Sequence, residues 1–511
     1  MAGDYEAMGA QQVDLLGPLA QQTRQLLLGR WPTTLGRSGF GVRVADRLGL
    51  SLFARLAPLC ERSGLFRELQ GMAKGLHISR TNAVRMFFAG LYGGSTAFAA
   101  TPTATGGKPL LGRNIDWYDE QGLLRPVLTH YCPSNGDAEY LSVGWPLVGI
   151  PIVGLNEHGL AISVNFFHAD EMVRLSFPQV PYRLALQRAR TVPEALALFR
   201  SVKNRGGPGL VLLADARGQI AQLECVPSAC AVFEPDAKWI ALANHARTPA
   251  MRQHDLGRTP DSLRRAAAMA NAVRHRLGHL DRAAAIEILR DRSSSPWFNG
   301  SNVANAKVLS SVLVDPVARV LWHSTRQQPL APYGRLDPFP VGPEASTAHA
   351  FGAAPLDPLR EAAGPALRLL QRAVDRLEAR EPAAAERILA TLGTGTETVD
   401  PDRLAWARAL ARLQAGDLAH ARPWLEAVDT TRAPFEISAA AQAGLGLDAQ
   451  LSRKQAAAKA YFLASQAILD GHPQADAPEV IGVLQAFLDA GLAGHASIEA
   501  AQRLPAMQQV R

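Results

Sequence analysis

Apolar and polar positions along the chain change period twice. Up to about Leu91 the apolar residues recur at helical spacing, as in Val13, Leu15, Leu16 and Leu19 and then Leu26 to Leu28. Glycine and proline interrupt this pattern from Arg30 to Gly41. A second helical pair is predicted over 44–60 and 65–75, and another helix over 82–91, which Gly93-Gly94 breaks. From Ser95 to about Ser324 short β-type runs take over: 96–101, 110–114, 150–155, 160–167, 210–215, 220–225, 239–244 and 308–323. Turn chemistry joins several of them, at Thr105-Gly-Gly-Lys108, Asn156-Glu-His-Gly159 and Asp215-Ala-Arg-Gly218. Helical stretches at 180–202 and 263–290 are interleaved. Hairpin strands with helices set apart predict an α+β layered fold.

The proline-rich run 327–359 has few periodic apolar positions and reads as a linker. Beyond it the chain is rich in Ala, Leu, Arg and Glu and reads as wholly helical. Three segments there resemble one another: Arg380-Glu-Pro-Ala-Ala-Ala-Glu-Arg387, Ala415-Gly-Asp-Leu-Ala-His-Ala-Arg422 and Arg453-Lys-Gln-Ala-Ala-Ala-Lys459. Aligning Ala384, Ala419 and Ala456 gives a period near that of tetratricopeptide (TPR)-like helix-turn-helix repeats. Alanine-rich helices that agree by composition alone are the other reading. The expected organisation is therefore 1–94, 95–326, a linker 327–359 and a helical domain 360–511.

Composition narrows the function classes. With 47% hydrophobic and 19% charged residues, 511 residues suffice for several buried cores, which excludes wholesale disorder. The excess of 53 Lys and Arg over 46 Asp and Glu is spread thinly and forms no basic block interleaved with aromatics, so nucleic acid is not an expected partner. Cys60, Cys132, Cys225 and Cys230 form no CxxC pair, which argues against a disulfide scaffold or structural zinc; Cys225 and Cys230 read as buried small hydrophobes. No run has the length of a membrane span and no leader pattern opens the chain, so a cytoplasmic protein is expected. Walker, HExxH and dinucleotide fingerprints are missing, and nothing calls for a cofactor.

The chemistry concentrates at Leu91-Tyr-Gly-Gly-Ser95-Thr-Ala-Phe98 and at Leu110-Leu-Gly-Arg113-Asn-Ile-Asp116-Trp117. A hairpin between these runs would bring Arg113 and Asp116 beside Ser95. Gly94 leaves the preceding carbonyl sterically open to a hydroxyl. Cleavage of the Gly94–Ser95 bond would give Ser95 a free α-amine with a pKa near ~8, able to act as base for its own hydroxyl. Asp116 could accept from that amine while Arg113 holds Asp116 or a substrate. Asn165 and Asn244 each close an otherwise apolar strand run, where an amide could donate to an oxyanion or simply make a turn. His158, His168 and His245 sit beside turns or strand ends and read as ordinary surface histidines. A Ser-His-Asp hydrolase would need a GxSxG elbow, and the sequence has none.

Taken together, the Gly-Ser-Thr-x-Phe start, Gly-Arg-Asn-x-Asp-Trp, the Gly-x-Asn-Glu-x-Gly-Leu turn and the Asn244-His245 pair resemble the N-terminal-nucleophile (Ntn) hydrolases. The nearest likeness is to the penicillin acyltransferase group (acyl-CoA:6-aminopenicillanate or isopenicillin N acyltransferase), related to choloylglycine hydrolases. Gly3-Asp-Tyr-Glu-Ala-Met-Gly9 and Glu68-Leu-Gln-Gly-Met-Ala-Lys-Gly75 resemble that group's pro-region, and Leu309 to Asp315 with Leu321-Trp322 its closing strand pair. The resemblance implies a four-layer αββα sandwich over 95–326, cut between Gly94 and Ser95, with a TPR-like all-α extension that it does not cover. Ser95 would be the nucleophile, Arg113 and Asp116 its orienting pair, and Asn165 and Asn244 the oxyanion and amine-contacting positions. A later arginine of the family maps onto Arg264 or Arg265, and Arg265 ranks below the others. The family carries Cys where this chain has Ser95, so both an active serine enzyme and a degenerate scaffold working through its helical domain stay open. The implied activity moves an acyl group from a small amide or thioester donor to water or an amine. A protein partner on the helical domain is also expected.

Overall fold

The computed structural model describes residues 1–34, 63–88, 94–117, 126–171, 180–202, 208–233, 238–256, 260–291, 302–305, 307–324, 331–343, 364–392, 401–431, 433, 435–471, 478–501 and 504. The expected helix at 44–60 and most of the expected linker lie outside them. The chain divides into two compact units. The first comprises 1–258, 269–291 and 307–356, and the second 259–268, 292–306 and 357–511.

Among the described residues the first unit has fourteen strands: β1 (Ala2–Gly3), β2 (Gly94–Ala100), β3 (Leu110–Asp116), β4 (Val127–Pro133), β5 (Tyr140–Gly144), β6 (Val153–Asn156), β7 (Ala161–Asn165), β8 (Gly209–Ala214), β9 (Ile220–Cys225), β10 (Cys230–Phe233), β11 (Trp239–Leu242), β12 (Val308–Asp315), β13 (Val320–Ser324) and β14 (Leu336–Pro340). They form an eight-stranded sheet in the order β1-β4-β5-β6-β7-β8-β9-β10 and a six-stranded sheet in the order β11-β2-β3-β12-β13-β14. All neighbours are antiparallel except β1 beside β4. The sheets face each other across a core that includes Ala97, Ala99, Leu111, Ile115, Leu210, Leu212, Ile240 and Leu242. The outer face of the larger sheet packs Tyr131, Ile162, Val211 and Leu223 against residues of helices Tyr5–Leu16, Val180–Arg188 and Val192–Ser201. Helix Arg282–Leu289 packs against β3 and β12 of the smaller sheet. Helix, sheet, sheet and helix make the expected αββα sandwich, joined in sequence to an all-α region.

The turn residues act as their chemistry dictates. Asn156 Oδ1 accepts from the backbone of His158 and Leu160, and Asp215 Oδ1 accepts from Arg217 and Gln219. Gly159 and Gly218 take the left-handed φ values, 81° and 86°, that close the two hairpins.

The segment 1–94 is built into the sandwich, not laid over it. Helix Tyr5–Leu16 crosses helix Leu65–Gly75 so closely that a Cβ on Gly9 would lie 2.0 Å from the Glu68 carbonyl oxygen, and one on Gly71 1.9 Å from that of Glu6. Beneath this crossing the fully buried Glu68 carboxylate pairs with the equally buried Arg183 guanidinium and accepts from the Tyr131 hydroxyl at 2.9 Å. Arg183 also stacks over the Tyr5 and Tyr131 rings.

Several expectations need correction. Within 327–359, Leu336–Pro340 is an edge strand on β13, where Pro338 and Pro340 cost no ladder bond that a central strand would need. The single run 308–323 is two strands, because Asp315 closes a turn by accepting from Ala318 N. Cys225 and Cys230 are not separate hydrophobes: they face each other across the β9–β10 hairpin with Cα atoms 4.2 Å apart and form a disulfide. Disulfides persist mainly in oxidising compartments, so this pairing does not favour the expected cytoplasmic location. No described helix is long and apolar enough to cross a membrane.

In the second unit, Arg380, Gly416, Arg453 and Gly494 all adopt a left-handed φ between successive helices. After each of them the next amide closes back five residues, from Glu381 to Arg376, Asp417 to Arg412, Lys454 to Ala449 and His495 to Ala490. Such 6→1 bonds are Schellman helix ends. The first three of these turns fall on the three segments that resemble one another in sequence.

Gly71→Ala should destabilise the first unit by about 1–3 kcal/mol, the usual range for overpacking a close contact. Urea unfolding would measure this, with Gly107→Ala as a control because nothing lies within 4 Å of a Cβ there.

Candidate active site

Strand β2 begins at the Gly94–Ser95 peptide, with β11 on one side and β3 on the other. Ser95 aligns with Ile115 and Ala97 with Arg113, while Leu242 aligns with Ala97. Ser95 and Arg113 are therefore diagonal neighbours on the face turned toward the large sheet. The hairpin expected from sequence does bring them together: Arg113 Nη2 donates to Ser95 Oγ at 2.6 Å. The same hydroxyl donates to the Gly94 carbonyl oxygen, also at 2.6 Å, so it lies against the peptide group that precedes it.

Arg113 is 2% exposed and reaches across the core. Its Nη1 donates to Ser163 Oγ at 3.0 Å and to the Val164 carbonyl, both on β7. Loss of water is the main effect on its guanidinium and lowers its pKa to about 9, against the opposing pull of the Asp116 carboxylate. Asp116 is buried opposite Gly94 in the β2–β3 register.

Both asparagines meet the Ser95 backbone. Asn244, just past β11, accepts from Ser95 N at 2.8 Å through Oδ1 and donates to the Phe166 carbonyl at 2.6 Å through Nδ2. Asn165, the last residue of β7, donates through Nδ2 to the Ser95 carbonyl at 3.3 Å and the Ala243 carbonyl at 2.8 Å. Its Oδ1 is buried and has no hydrogen-bond partner among the described residues. A buried acceptor left open beside a reactive group is the kind of exception that functional sites supply. Arg265 is buried on helix Pro260–Arg274, in a stretch that groups with the second unit.

Sequence reasoning missed a buried carboxylate that holds the chain a few residues beyond Asn244. Glu224 is fully buried on β9 and accepts from Arg247 N at 2.8 Å and from Thr248 N and Oγ1 at 2.9 and 2.7 Å. It thereby fixes the chain that follows Asn244-His245. Its position inside an ordinary-looking strand, one residue before Cys225, gave no periodic signal. A second miss is Ser310 Oγ with His323 Nε2, 2.8 Å apart on β12 and β13. Burial pushes the His323 imidazole down to about 4, with the Asp337 carboxylate opposing. Ser310 is 1% exposed, so this pair is a buried hydrogen bond of the core.

With the site assembled, its relatives can be compared. Residues 103–328 match the family acyl-coenzyme A:6-aminopenicillanic acid acyl-transferase. The match takes in Arg113, Asp116, Asn165, Asn244 and Arg265 and begins after Ser95, whose assignment rests on the geometry above. Among solved structures, the chain is similar to the Caenorhabditis elegans N-acylethanolamine-hydrolyzing acid amidase (NAAA) ortholog, at 15% identity and TM-score 0.35, over 51% of this chain and 100% of that one. Penicillin V acylase from Agrobacterium tumefaciens gives 14% and 0.31, over 46% and 84%. The C2A mutant of conjugated bile acid hydrolase from Clostridium perfringens gives 14% and 0.31, over 44% and 88%. Scores and identities this low carry nothing about chemistry. No curated relative matches the chain.

His323 sets a pH dependence of stability. Its folded pKa lies below the ordinary value of 6.5, so the stability that its neutral burial contributes is complete above about 6.5 and is lost as pH falls toward about 4. The drop should be on the order of 3 kcal/mol. Urea midpoints at pH 7 and pH 4.5 should converge markedly in His323→Gln relative to the native chain.

Proposed function

We propose that the first unit is a self-activating Ntn amidohydrolase or acyltransferase with Ser95 as nucleophile. The observation that carries this reading is the convergence on one residue of a guanidinium from β3 and a side-chain carbonyl beyond β11: Arg113 on the Ser95 hydroxyl and Asn244 on the Ser95 nitrogen. Hydroxyl and nitrogen are the two atoms that an N-terminal nucleophile uses.

In the maturation step Ser95 Oγ attacks the Gly94 carbonyl carbon. The Gly94–Ser95 amide becomes an ester on Oγ, and the former amide nitrogen takes up a proton as the α-amine. Water then cleaves the ester, leaving a Gly94 carboxylate and a free Ser95. In turnover the α-amine accepts the Oγ proton as the hydroxyl attacks an acyl donor, and the amine or thiol of the donor leaves with that proton. The acyl ester then passes to water or to an amine acceptor. Asn244 Oδ1 holds the amine, Arg113 favours negative charge on Oγ, and Asn165 acts as the amide beside the Ser95 carbonyl. Asp116 is the carboxylate that would accept from the amine once cleavage frees it. The family match favours a small acyl thioester or amide as donor. The helical region is proposed as a TPR-like platform for a protein partner.

Mass spectrometry of purified protein should find the fragments 1–94 and 95–511, the latter with an unblocked Ser95. Ser95→Ala should leave one intact chain and Ser95→Cys should still be cut. Normal cutting of Ser95→Ala would overturn the assignment, and an intact native chain would leave the degenerate scaffold. Arg113→Lys keeps the charge but loses the fork that spans Ser95, Ser163 and Val164, and should slow cutting by roughly 10²–10³-fold, as for loss of a preorganised donor. A time course of fragment appearance reads this directly.

A further inference from the structure

A second cluster of reactive groups lies on the large sheet, on strands other than those that hold Ser95. His130 and Cys132 alternate on β4, so their side chains share a face. The next β4 residue inward, Tyr131, aligns with Tyr140, which brings Glu139 alongside Cys132. One nitrogen, His130 Nε2, lies 2.7 Å from Glu139 Oε1 and 3.6 Å from Cys132 Sγ. The donor atoms of all three residues fall within 4.8 Å of one another.

We propose that His130, Cys132 and Glu139 form a binding site for a divalent zinc-like ion. Tetrahedral zinc, with bonds of about 2.0–2.1 Å to nitrogen and oxygen and about 2.3 Å to sulfur, sets its ligand atoms roughly 3.3–3.6 Å apart. The imidazole–thiol separation of 3.6 Å already has that value. The imidazole–carboxylate contact of 2.7 Å would open by about half an ångström as a metal replaced the shared proton. One nitrogen, one sulfur and one oxygen form a borderline donor set that suits zinc and excludes calcium and magnesium, which take oxygen ligands.

The surroundings fit a metal better than a plain surface ion pair. A His–Glu pair does not require a thiol, yet here a thiol faces the same nitrogen. An outer contact orients the carboxylate, as metal ligands usually require: Gly342 N donates to Glu139 Oε1 at 3.1 Å, while the Glu139 backbone is held by donation from its N to Glu157 Oε1 at 3.2 Å. Gly342 follows β14, at the edge of the smaller sheet. An ion here would therefore tie the exit of that sheet to β4 and β5 of the larger one. Its role is to hold structure, with a fourth position left for water.

The test uses the full chain, stripped with a chelator and titrated with Zn²⁺ by calorimetry and with Co²⁺ by absorbance. One equivalent of either ion should bind, and cobalt should give a thiolate-to-metal charge-transfer band. Cys132→Ser and His130→Gln should each abolish the band and weaken binding by more than the roughly 10–100-fold that losing an outer partner costs, while Glu157→Gln should fall within that range. Cys60→Ser should leave the band intact. Native chain that takes up no stoichiometric ion overturns the proposal whatever the variants do, as does a band that survives Cys132→Ser or vanishes with Cys60→Ser. Far-ultraviolet circular dichroism establishes that each variant is folded before its binding is read.

Discussion

A guanidinium buried between two β-sheets is the constraint around which the sandwich is arranged. Arg113 sits on the smaller sheet, and its side chain crosses the core to Ser163 and the Val164 carbonyl on β7. Burying a charge is tolerable only when its hydrogen bonds are met and a counter-charge is near. The chain meets this at the two terminal nitrogens, with a hydroxyl and a carbonyl from one sheet and the Ser95 hydroxyl from the other, and sets Asp116 near the start of β2, while Nε has no partner among the described residues. Removing that many partners at once would leave a desolvated cation, so the register of β2, β3 and β7 is fixed together. The group that sets the register is also the group that touches the candidate nucleophile.

How much of this the sequence revealed depended on whether the determinant was local. Turns governed by one Asx side chain and one glycine, such as 156–159 and 215–218, were readable because the whole cause lies within four residues. The β2–β3 hairpin was readable for a similar reason, and with it the approach of Arg113 to Ser95. Strands β4, β5, β10 and β14 were not read. β4 ends on Pro133 and carries His130 and Cys132 on one face, β5 runs into Trp145-Pro146, and β14 is broken by prolines that only an edge position accepts. The pairing of Cys225 with Cys230 could not be inferred from spacing, since it depends on a hairpin register that places them opposite one another. Glu224 was hidden for a third reason: its partners are backbone amides of Arg247 and Thr248, which carry no sequence signature.

The asparagines illustrate the difference between naming a residue and knowing its task. Both stand out as strand-end amides, with oxyanion donation or a turn as the readings open from the residues and oxyanion and amine-contacting positions as what the resemblance implies. In the folded chain Asn244 turns its carbonyl to the Ser95 nitrogen and spends its amide on Phe166. Asn165 gives its amide to two carbonyls and keeps a buried oxygen without a partner among the described residues. Acceptor and donor assignments follow from neighbours that only the tertiary structure supplies.

The register beside Ser95 bears on why cleavage at this bond is physically reasonable. The β2–β11 ladder runs from Trp239 opposite Ala100 to Leu242 opposite Ala97 and then stops. Continued regularly, it would set a main-chain carbonyl against the Ser95 amide. A side-chain carbonyl, Asn244 Oδ1, takes that place. A main-chain partner belongs to a cooperative ladder and resists any change in the nitrogen it holds. An asparagine carbonyl on its own tether can accept equally from a peptide N–H or from an amine carrying two or three protons, with a small rotation and no disturbance of the strand. The same contact can therefore hold the nitrogen on either side of the proposed cleavage at Gly94, which a serine needs if its own amine is to serve as base.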